Sequence, residues 1–414
     1  MNKASSRIVK TYISLTLLST FASSFIWGVN TLFLLDAGLS ITQAFAANAF
    51  FTAGEVLFEV PTGVIADTRG RRTSFLLGTA TLFLTTLAYL WLWRIKGPFI
   101  GWAIVSMLLG LGFTFFSGAT EAWLVDGLKA AKYDEALDNI FAKGSIAGGA
   151  AMLTGTVAGG LVAQYSNLGV PYIMRIVALA ATFLIAFFLM HDDGFTAKGR
   201  SGLLNEMRDV ISESVEFGLK NRPVRWMMLS AIFNGGVGIF VFYAMQPYLL
   251  KLYGDPSSYA VAGVSASIVA GALIAGGFLV PHVGRLFKRR TSLLISGLVI
   301  GVPSLVLIGL VNNFWIVLGL LAVWSLVFAV TGPVRQAYMN GIIPSKQRAT
   351  VLSADNMLTS LGGVVSQPGL GKVADVWSYP MSYLASAAFQ MIALPFLFLS
   401  RRERAASDLI KEHR

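Results

Sequence analysis

Residues 63–72 read Gly-Val-Ile-Ala-Asp-Thr-Arg-Gly-Arg-Arg and follow an apolar run that begins near residue 42. Such a run is long enough to cross a hydrocarbon layer of about 30 Å as a helix. Gly63 permits close contact between helices, and Asp67 can cap the turn that follows. Gly70 permits a left-handed backbone that directs Arg71 back towards the helices. The stretch therefore predicts a tight, charged turn at a membrane surface.

Apolar blocks of the same length recur along the chain. Of its 414 residues, 55% are hydrophobic and 13% are charged, whereas ordinary soluble domains carry about 25% charged residues. Most blocks are continuous runs without the alternation of a β-barrel strand, so each satisfies its backbone hydrogen bonds as a helix. We predict an all-α integral membrane protein whose twelve spans are 11–35, 42–66, 74–94, 98–127, 138–165, 171–190, 224–250, 259–284, 291–311, 313–338, 349–373 and 379–399.

The positive charges predict the orientation of these spans. If the amino terminus is inside, most of the 32 lysines and arginines fall in segments that face the cytoplasm, which is the positive-inside pattern. We therefore expect a multi-pass protein of the cytoplasmic (inner) membrane with both termini in the cytoplasm. The net charge of +11 is then a topological signal beside anionic lipid, and nucleic-acid binding is not expected. The first block is too long for a cleavable signal, whose core has about 7–15 residues, and is read as an uncleaved span.

Several classes of function lack their characteristic residues. The chain has no cysteine and three scattered histidines, so no disulfide, metal site or cofactor is expected. It has no phosphate-binding loop, which argues against ATP as an energy source. No clustered catalytic set is found either, so we expect no enzymatic activity. A membrane enzyme or receptor is kept as a remote alternative.

One long polar stretch divides the spans six and six. It predicts a first six-helix bundle at 1–190, a cytoplasmic linker at 191–223, a second bundle at 224–400 and a basic tail at 401–414. Within the linker, residues 202–220 place apolar side chains at helical spacing. We expect either an amphipathic helix at the membrane surface or a helix packed against protein, with equal weight.

The two halves repeat each other in sequence. Three pairs of short motifs recur in the same order and at a nearly constant offset, which indicates a duplicated six-span unit. The pairs are Arg71-Arg72-Thr73-Ser74 with Arg289-Arg290-Thr291-Ser292, Ser117-Gly118 with Thr331-Gly332, and Asp138-Asn139 with Asp355-Asn356.

Residues 63–72 closely resemble the G-x-x-x-D-x-x-G-R-[RK] signature of the major facilitator superfamily, in the expected loop of a duplicated chain. The resemblance covers essentially the whole chain. It implies two pseudo-symmetric six-helix bundles, alternating access around a central cavity and a small-molecule substrate. We also expect function as a monomer. The second-half copy keeps the basic pair but has Arg285 where Asp67 stands.

The same resemblance implies a charge cluster that latches the outward-facing state. Asp126, near the cytoplasmic end of span four, is the expected partner of Arg71. The alternative is that the loop charges merely set topology, which leaves Asp126 unexplained. The predicted latch comprises Gly63, Asp67, Gly70, Arg71 and Asp126.

Two carboxylates lie deep in the second span. Glu55 and Glu59 precede Asp67 by twelve and eight residues, which at 1.5 Å per residue places them about 18 and 12 Å into the bilayer. Their spacing puts them on one helix face, where ionisation of both at once is disfavoured. We predict that one of them carries a coupling proton, with Glu121 in reserve. The alternative is a pair of structural carboxyl groups.

Other polar and aromatic residues are candidates for a substrate cavity. Glu121 and Arg335 occupy equivalent positions in the repeat and could face each other as a salt bridge that breaks during the cycle. A static pair, or pairing with nearer neighbours, is an equal alternative. Asn30 and Gln246 also correspond. The full set is Trp27, Asn30, Glu121, Phe240, Tyr243, Gln246 and Arg335, and its aromatic members suit a lipophilic substrate or simply pack.

Residues 155–160, Gly-Thr-Val-Ala-Gly-Gly, resemble the G-P-x-x-G-G element of exporters of the superfamily, with Thr156 in place of proline. The arginine that many proton-coupled members carry in the middle of span four is absent. We predict a secondary transporter, with proton-coupled efflux (antiport) of small amphipathic or lipophilic compounds as the main expectation. Proton-coupled import of a nutrient or metabolite is the alternative.

Overall fold

The computed structural model describes residues 2–133, 137–197, 208, 212, 214–344 and 347–410, and most of them are helical. The prediction of an all-α membrane protein is confirmed. The helices are α1 Lys3–Trp27, α2 Asn30–Asp36, α3 Ile41–Arg69, α4 Arg71–Ile95, α5 Phe99–Thr114, α6 Ala119–Ala130, α7 Asp138–Tyr165, α8 Val170–Leu189, α9 Arg222–Tyr253, α10 Tyr259–Gly284, α11 Arg290–Leu310, α12 Phe314–Asn340, α13 Arg348–Val376, α14 Tyr379–Met391 and α15 Ala393–Arg402.

Within the described residues, ten helical segments are long and apolar enough to cross a membrane. The pair α1 and α2, bent by 48°, would make an eleventh. Helix α13 coincides with the predicted eleventh span but is not among them, since polar residues such as Asp355 and Gln367 interrupt its apolar sequence. The number twelve therefore stays a prediction.

Two predicted spans are interrupted at glycines. The first breaks at Gly28, where a Cβ would lie 3.0 Å from the Cα of Gly263, so a larger residue would require the neighbouring helix to shift. The fourth breaks between α5 and α6, where Gly118 adopts a φ of 65°. That left-handed conformation disfavours residues with a side chain. These breaks follow from tertiary contact and backbone geometry, which hydropathy does not report.

The chain forms two compact units. Unit 1 comprises Met1–Leu39, Phe50–Leu203 and Ser257–Ser267, and unit 2 comprises Ser40–Ala49, Leu204–Pro256 and Ile268–Arg414. Each has its own buried apolar cluster. That of unit 1 includes Leu15, Phe75 and Leu124, and that of unit 2 includes Met227, Leu294 and Tyr338.

The units do not coincide fully with the predicted domains, because the first residues of α3 group with unit 2. There, the hydroxyl of Thr42 donates to Asp375 at 2.6 Å. The domain boundaries stay a prediction. The predicted amphipathic helix at 202–220 lies largely outside the described residues, and its described end, Ser214–Leu219, is a turn of π-helix.

Candidate functional site

The charged turn between α3 and α4 is closed by a carboxylate from a distant segment. Gly70 adopts a φ of 105°, as expected for its predicted left-handed turn. Asp192, which follows α8, accepts a hydrogen bond from the backbone N–H of Arg72 at 2.9 Å. A Cβ on residue 70 would overlap this carboxylate. Gly70 is therefore required both by its backbone conformation and by the group that caps the positive end of α4.

The second half has the same arrangement. Asp408, 2% exposed, accepts hydrogen bonds from the backbone N–H of Thr291 at 2.8 Å and from its hydroxyl at 3.0 Å. In each half the capping carboxylate comes from the segment after the last helix of that half. The repeated Arg-Arg-Thr-Ser motif marks these equivalent helix starts. The capping residues were not predicted, although both follow the last apolar block of their half.

The predicted latch is only partly assembled. Arg71 Nη1 lies 2.6 Å from Asp67 Oδ1, one helical turn away, and both side chains are partly exposed. Among the described residues, Asp126 makes no ion pair with Arg71. The Arg71–Asp126 pair stays a prediction for another conformational state. A close helix contact at Gly63 was also expected; in this conformation a Cβ there would have no described atom within 4 Å, so the contact stays a prediction.

The carboxylate pair of α3 lies where α3 crosses α5. A Cβ on Gly110 of α5 would come within 2.8 Å of the Glu55 backbone nitrogen, so the two helices pack closely. Glu59 accepts a hydrogen bond from the hydroxyl of Ser117 at 2.6 Å. Within the described residues, the carboxylate of Glu55 has neither a hydrogen bond nor an ion pair. Glu55 is thus the member of the pair that is not held by a partner.

The predicted partners Glu121 and Arg335 belong to different units. Glu121 is exposed in the first turn of α6. Arg335 binds Asp355 of α13 through both terminal nitrogens, one at 2.6 Å, and also donates to the carbonyl of Met227 at 3.1 Å. In this conformation Arg335 therefore pairs with a nearer neighbour, which was the alternative to a salt bridge with Glu121. Asp355 was named from the sequence only as part of the repeated Asp-Asn motif and not as a partner of Arg335. The signal that could have identified it is its charge within a predicted span.

The remaining predicted cavity residues are mostly buried among neighbouring helices. Phe240 packs between Phe45 and Tyr383, with ring centroids 4.9 and 6.4 Å away, so the packing alternative describes it. Asn30 accepts a hydrogen bond from the hydroxyl of Tyr172 at 3.0 Å. A substrate role stays a prediction for Asn30 and for the three others, which are Trp27, Tyr243 and Gln246.

A cavity of about 340 Å³ lies within unit 2, between α9, α11, α12, α13, α14 and α15. Of the predicted cavity residues, Arg335 is among those that line it. Trp324 and Phe328 form a stacked aromatic wall, with ring centroids 5.5 Å apart. Its polar lining consists of Ser230, Asn234, Thr331, Arg335, Gln336, Asn356, Thr359 and Gln390. This mixture of amides, hydroxyls and an aromatic wall is typical of small-molecule sites.

Sequence reasoning missed one buried cation. Arg175 in α8 is 1% exposed, and its Nε donates to the hydroxyl of Thr86 at 3.1 Å. Its guanidinium lies 5.7 Å from the ring centroid of Phe113, while Nη2 has no hydrogen-bond partner. No carboxylate in the described part of the chain forms an ion pair with it. Charged groups without a counter-charge are rare inside membrane bundles, and this position is therefore of functional interest.

Close helix packing explains the glycines of the exporter-like element at residues 155–160. A Cβ on Gly159 would overlap the carbonyl oxygen of Phe25, and one on Gly160 would lie 2.7 Å from that of Tyr259. Thr156 is 2% exposed and donates to the carbonyl of Met152 at 2.7 Å. Close packing of α7 inside unit 1 therefore accounts for these small residues without reference to the direction of transport.

Comparisons with known proteins agree with the helical architecture. Residues 12–289 and 275–414 match the model of the Major Facilitator Superfamily. Among curated proteins, the chain is 28% identical over 156 residues to the Xenopus laevis protein "Solute carrier family 2, facilitated glucose transporter member 10". This match covers 36% of the chain and 27% of the relative, so it spans about a quarter of that protein's length.

Three solved structures share the fold at low sequence identity. The nucleoside transporter NupG has a TM-score of 0.77 at 13% identity and covers 96% of this chain and 99% of its own. A bacterial homologue of the human lysosomal transporter Spinster has 0.71 at 16%, covering 99% of both chains. A D-xylose-proton symporter has 0.68 at 16%, covering 94% and 98%. With the family model matched along nearly the whole chain, the protein belongs to the Major Facilitator Superfamily.

Proposed function

We propose that this transporter imports a small polar metabolite together with protons. The observation that carries the proposal is the cavity in unit 2, whose lining offers amide and hydroxyl groups beside one aromatic wall. A lipophilic compound would leave these groups unpaired, which costs free energy. The names of the relatives point the same way, since they include a glucose transporter, a nucleoside transporter and a D-xylose-proton symporter. Import, the alternative from sequence, is thus better supported than efflux.

The coupling proton is assigned to Glu55. An ionised carboxylate is costly inside a membrane bundle, and a second carboxylate one turn away increases that cost. Glu59 is held by the Ser117 hydroxyl, whereas Glu55 has no such partner among the described residues. Protonation makes Glu55 neutral and favours the conformational change that carries both proton and substrate. A differential effect on the two conformations is what coupling requires.

The topology proposed for this function follows from charge. Basic residues concentrate in the loops that follow the even-numbered predicted spans and at both ends of the chain. The positive-inside rule then places both termini in the cytoplasm and the protein in the cytoplasmic membrane. We further propose that a single copy is sufficient, since one chain contains both six-span halves.

Proteoliposomes test the coupling. With a pH-sensitive dye trapped inside and the outside more acidic, addition of D-glucose or uridine should accelerate acidification of the lumen. Glu55→Gln should abolish the acceleration yet retain counterflow of radiolabelled substrate, because glutamine mimics the protonated form. Glu59→Gln and Glu121→Gln are compared with it, and Glu403→Gln, at the exposed residue that follows α15, serves as the control.

Normal coupling in the Glu55, Glu59 and Glu121 variants would remove the carboxylate mechanism. A different outcome would favour efflux: cells that express the protein accumulate less of a lipophilic dye, and a protonophore abolishes the difference. Dye efflux without any metabolite-dependent proton uptake would overturn the import proposal.

A further inference from the structure

We propose that the cavity in unit 2 is a binding site for an uncharged, cyclic polyhydroxylated ligand of about monosaccharide size, which rests on the proposed function and specifies its substrate. The volume of about 340 Å³ is at the lower end of the range of about 300–1,000 Å³ found for small-molecule sites. The kind of ligand that fits depends on which hydrogen-bonding atoms of the lining are still available.

The hydroxyl groups of the lining have used their hydrogens. Ser230 donates to the carbonyl of Met227 at 2.7 Å, and Thr359 donates to that of Asp355 at 2.9 Å. Thr331 donates within its own helix to the carbonyl of Val327 at 3.0 Å. A hydroxyl has one hydrogen and two lone pairs, so each of these oxygens can still accept but no longer donate.

Gln390 adds a buried acceptor. Its amide nitrogen donates to the side-chain oxygen of Asn234 at 3.2 Å, which orients the amide. Its oxygen, Oε1, is buried without a hydrogen-bond partner, and the residue is 5% exposed. An unpaired buried acceptor costs free energy that a ligand hydroxyl would recover. Together with the three hydroxyl oxygens, it makes the lining rich in acceptors, and the matching ligand is rich in donors.

The charge of the lining selects a neutral ligand. Arg335 is the one ionisable residue among the described residues that line the cavity. Asp355 neutralises it through both terminal nitrogens, while Nε remains buried without a partner. The remaining donors are therefore Arg335 Nε and the side-chain amides of the lining, such as those of Gln336 and Asn356, and the neutralised pair leaves no net charge for a cation or an anion to pair with. An ionic ligand would lose its hydration without a compensating partner.

The apolar side of the cavity suits a ring. Trp324 and Phe328 are stacked with their planes inclined by 21°. The other apolar side chains of the lining are those of Ala231, Leu294, Leu298, Val327 and Leu397. The C–H face of a sugar or cyclitol ring can rest on such a wall while its hydroxyl groups point to the acceptors opposite. A linear polyol has the hydroxyl donors but not the rigid face. It also loses more conformational entropy on binding.

Binding measured in detergent, without any gradient, separates this proposal from proton coupling. Calorimetric titration is done with D-glucose, D-xylose and myo-inositol as neutral cyclic polyols. D-gluconate and D-glucosamine serve as anionic and cationic counterparts, and uridine as a ligand with a heteroaromatic base. We expect at least one neutral cyclic polyol to bind, and both charged compounds to bind more weakly by tenfold or more.

Two substitutions connect the binding to this cavity. Gln390→Leu removes the unpaired acceptor, and Thr331→Val removes one hydroxyl without changing its shape. Each should weaken binding by roughly 3- to 10-fold, the usual effect of one hydrogen bond. Gln164→Leu, at an exposed glutamine of unit 1, is the control and should have no effect. The thermal unfolding of each variant is measured to show that it is folded.

Three outcomes contradict the proposal: preferential binding of gluconate or glucosamine, binding of uridine but of no polyol, or polyol binding that both cavity variants leave unchanged. Failure of the proposed function looks different. Polyol binding that depends on Gln390 and Thr331, without proton-coupled uptake in proteoliposomes, would support this site and refute only the coupling.

Discussion

The ion pair between Arg335 and Asp355 allows a quantitative prediction about unit 2. The side chain of Asp355 is 4% exposed and that of Arg335 is 20% exposed, so the pair is largely removed from water. Asp355→Asn removes the negative charge while it preserves the shape. The arginine then keeps its hydrogen bond to the carbonyl of Met227 but loses its counter-charge.

The expected loss of stability follows from this geometry. Removal of one partner of a buried pair costs about 3–5 kcal/mol. Because Arg335 is partly exposed and retains one backbone acceptor, we expect about 3 kcal/mol, at the lower end. For a unit of about 200 residues, 1 kcal/mol corresponds to about 2–4 °C. Asp355→Asn should therefore lower the Tm by about 6–12 °C.

Scanning fluorimetry of the purified protein in detergent measures this change. Asp375→Asn is the matched control on the same helix, since Asp375 is exposed and should contribute about 1 kcal/mol or less. The double variant Arg335→Met with Asp355→Leu removes both charges and should recover most of the stability. A single variant within 2 °C of the wild type, or a double variant as unstable as the single one, would refute the reasoning.

Three further predictions concern unit 1. Asp126→Asn should cripple transport in proteoliposomes without reducing expression, because it removes the predicted partner of Arg71 in another state, and full activity would count against the latch. Asp192→Ala should lower the free energy of unfolding by about 1 kcal/mol through loss of the α4 cap, which is measured as a lower Tm. An unchanged Tm would show that the cap contributes nothing. Arg175→Met should leave stability unchanged or raised, since it removes a buried charge without a counter-ion. If that charge has a function, Arg175→Met should lose transport and Arg175→Lys should retain part of it. Equal transport by the wild type and both variants would show that Arg175 has no role in transport.

The membrane class, the helical fold and the superfamily could all be predicted from the sequence alone, which also predicts a duplication. These properties depend on local pattern: the length of apolar runs, the distribution of lysine and arginine, and the motif at residues 63–72. Sequence also placed Glu55 and Glu59 on one face of one helix, because positions four apart in a helix are neighbours whatever surrounds them. None of these inferences requires knowledge of how the helices pack.

Which side chains meet could be read only from the packed helices. Arg335 pairs with Asp355, and Asp192 closes the turn at Gly70, yet in both cases the partners lie on different segments. Such contacts depend on the rotation and crossing of packed helices, which arise from many side chains at once and leave no periodic signal in any one segment. The same reason explains the cavity of unit 2. Its polar lining comes from four helices, which are α9, α12, α13 and α14, so its acceptors become recognisable as one site only when those helices are packed together.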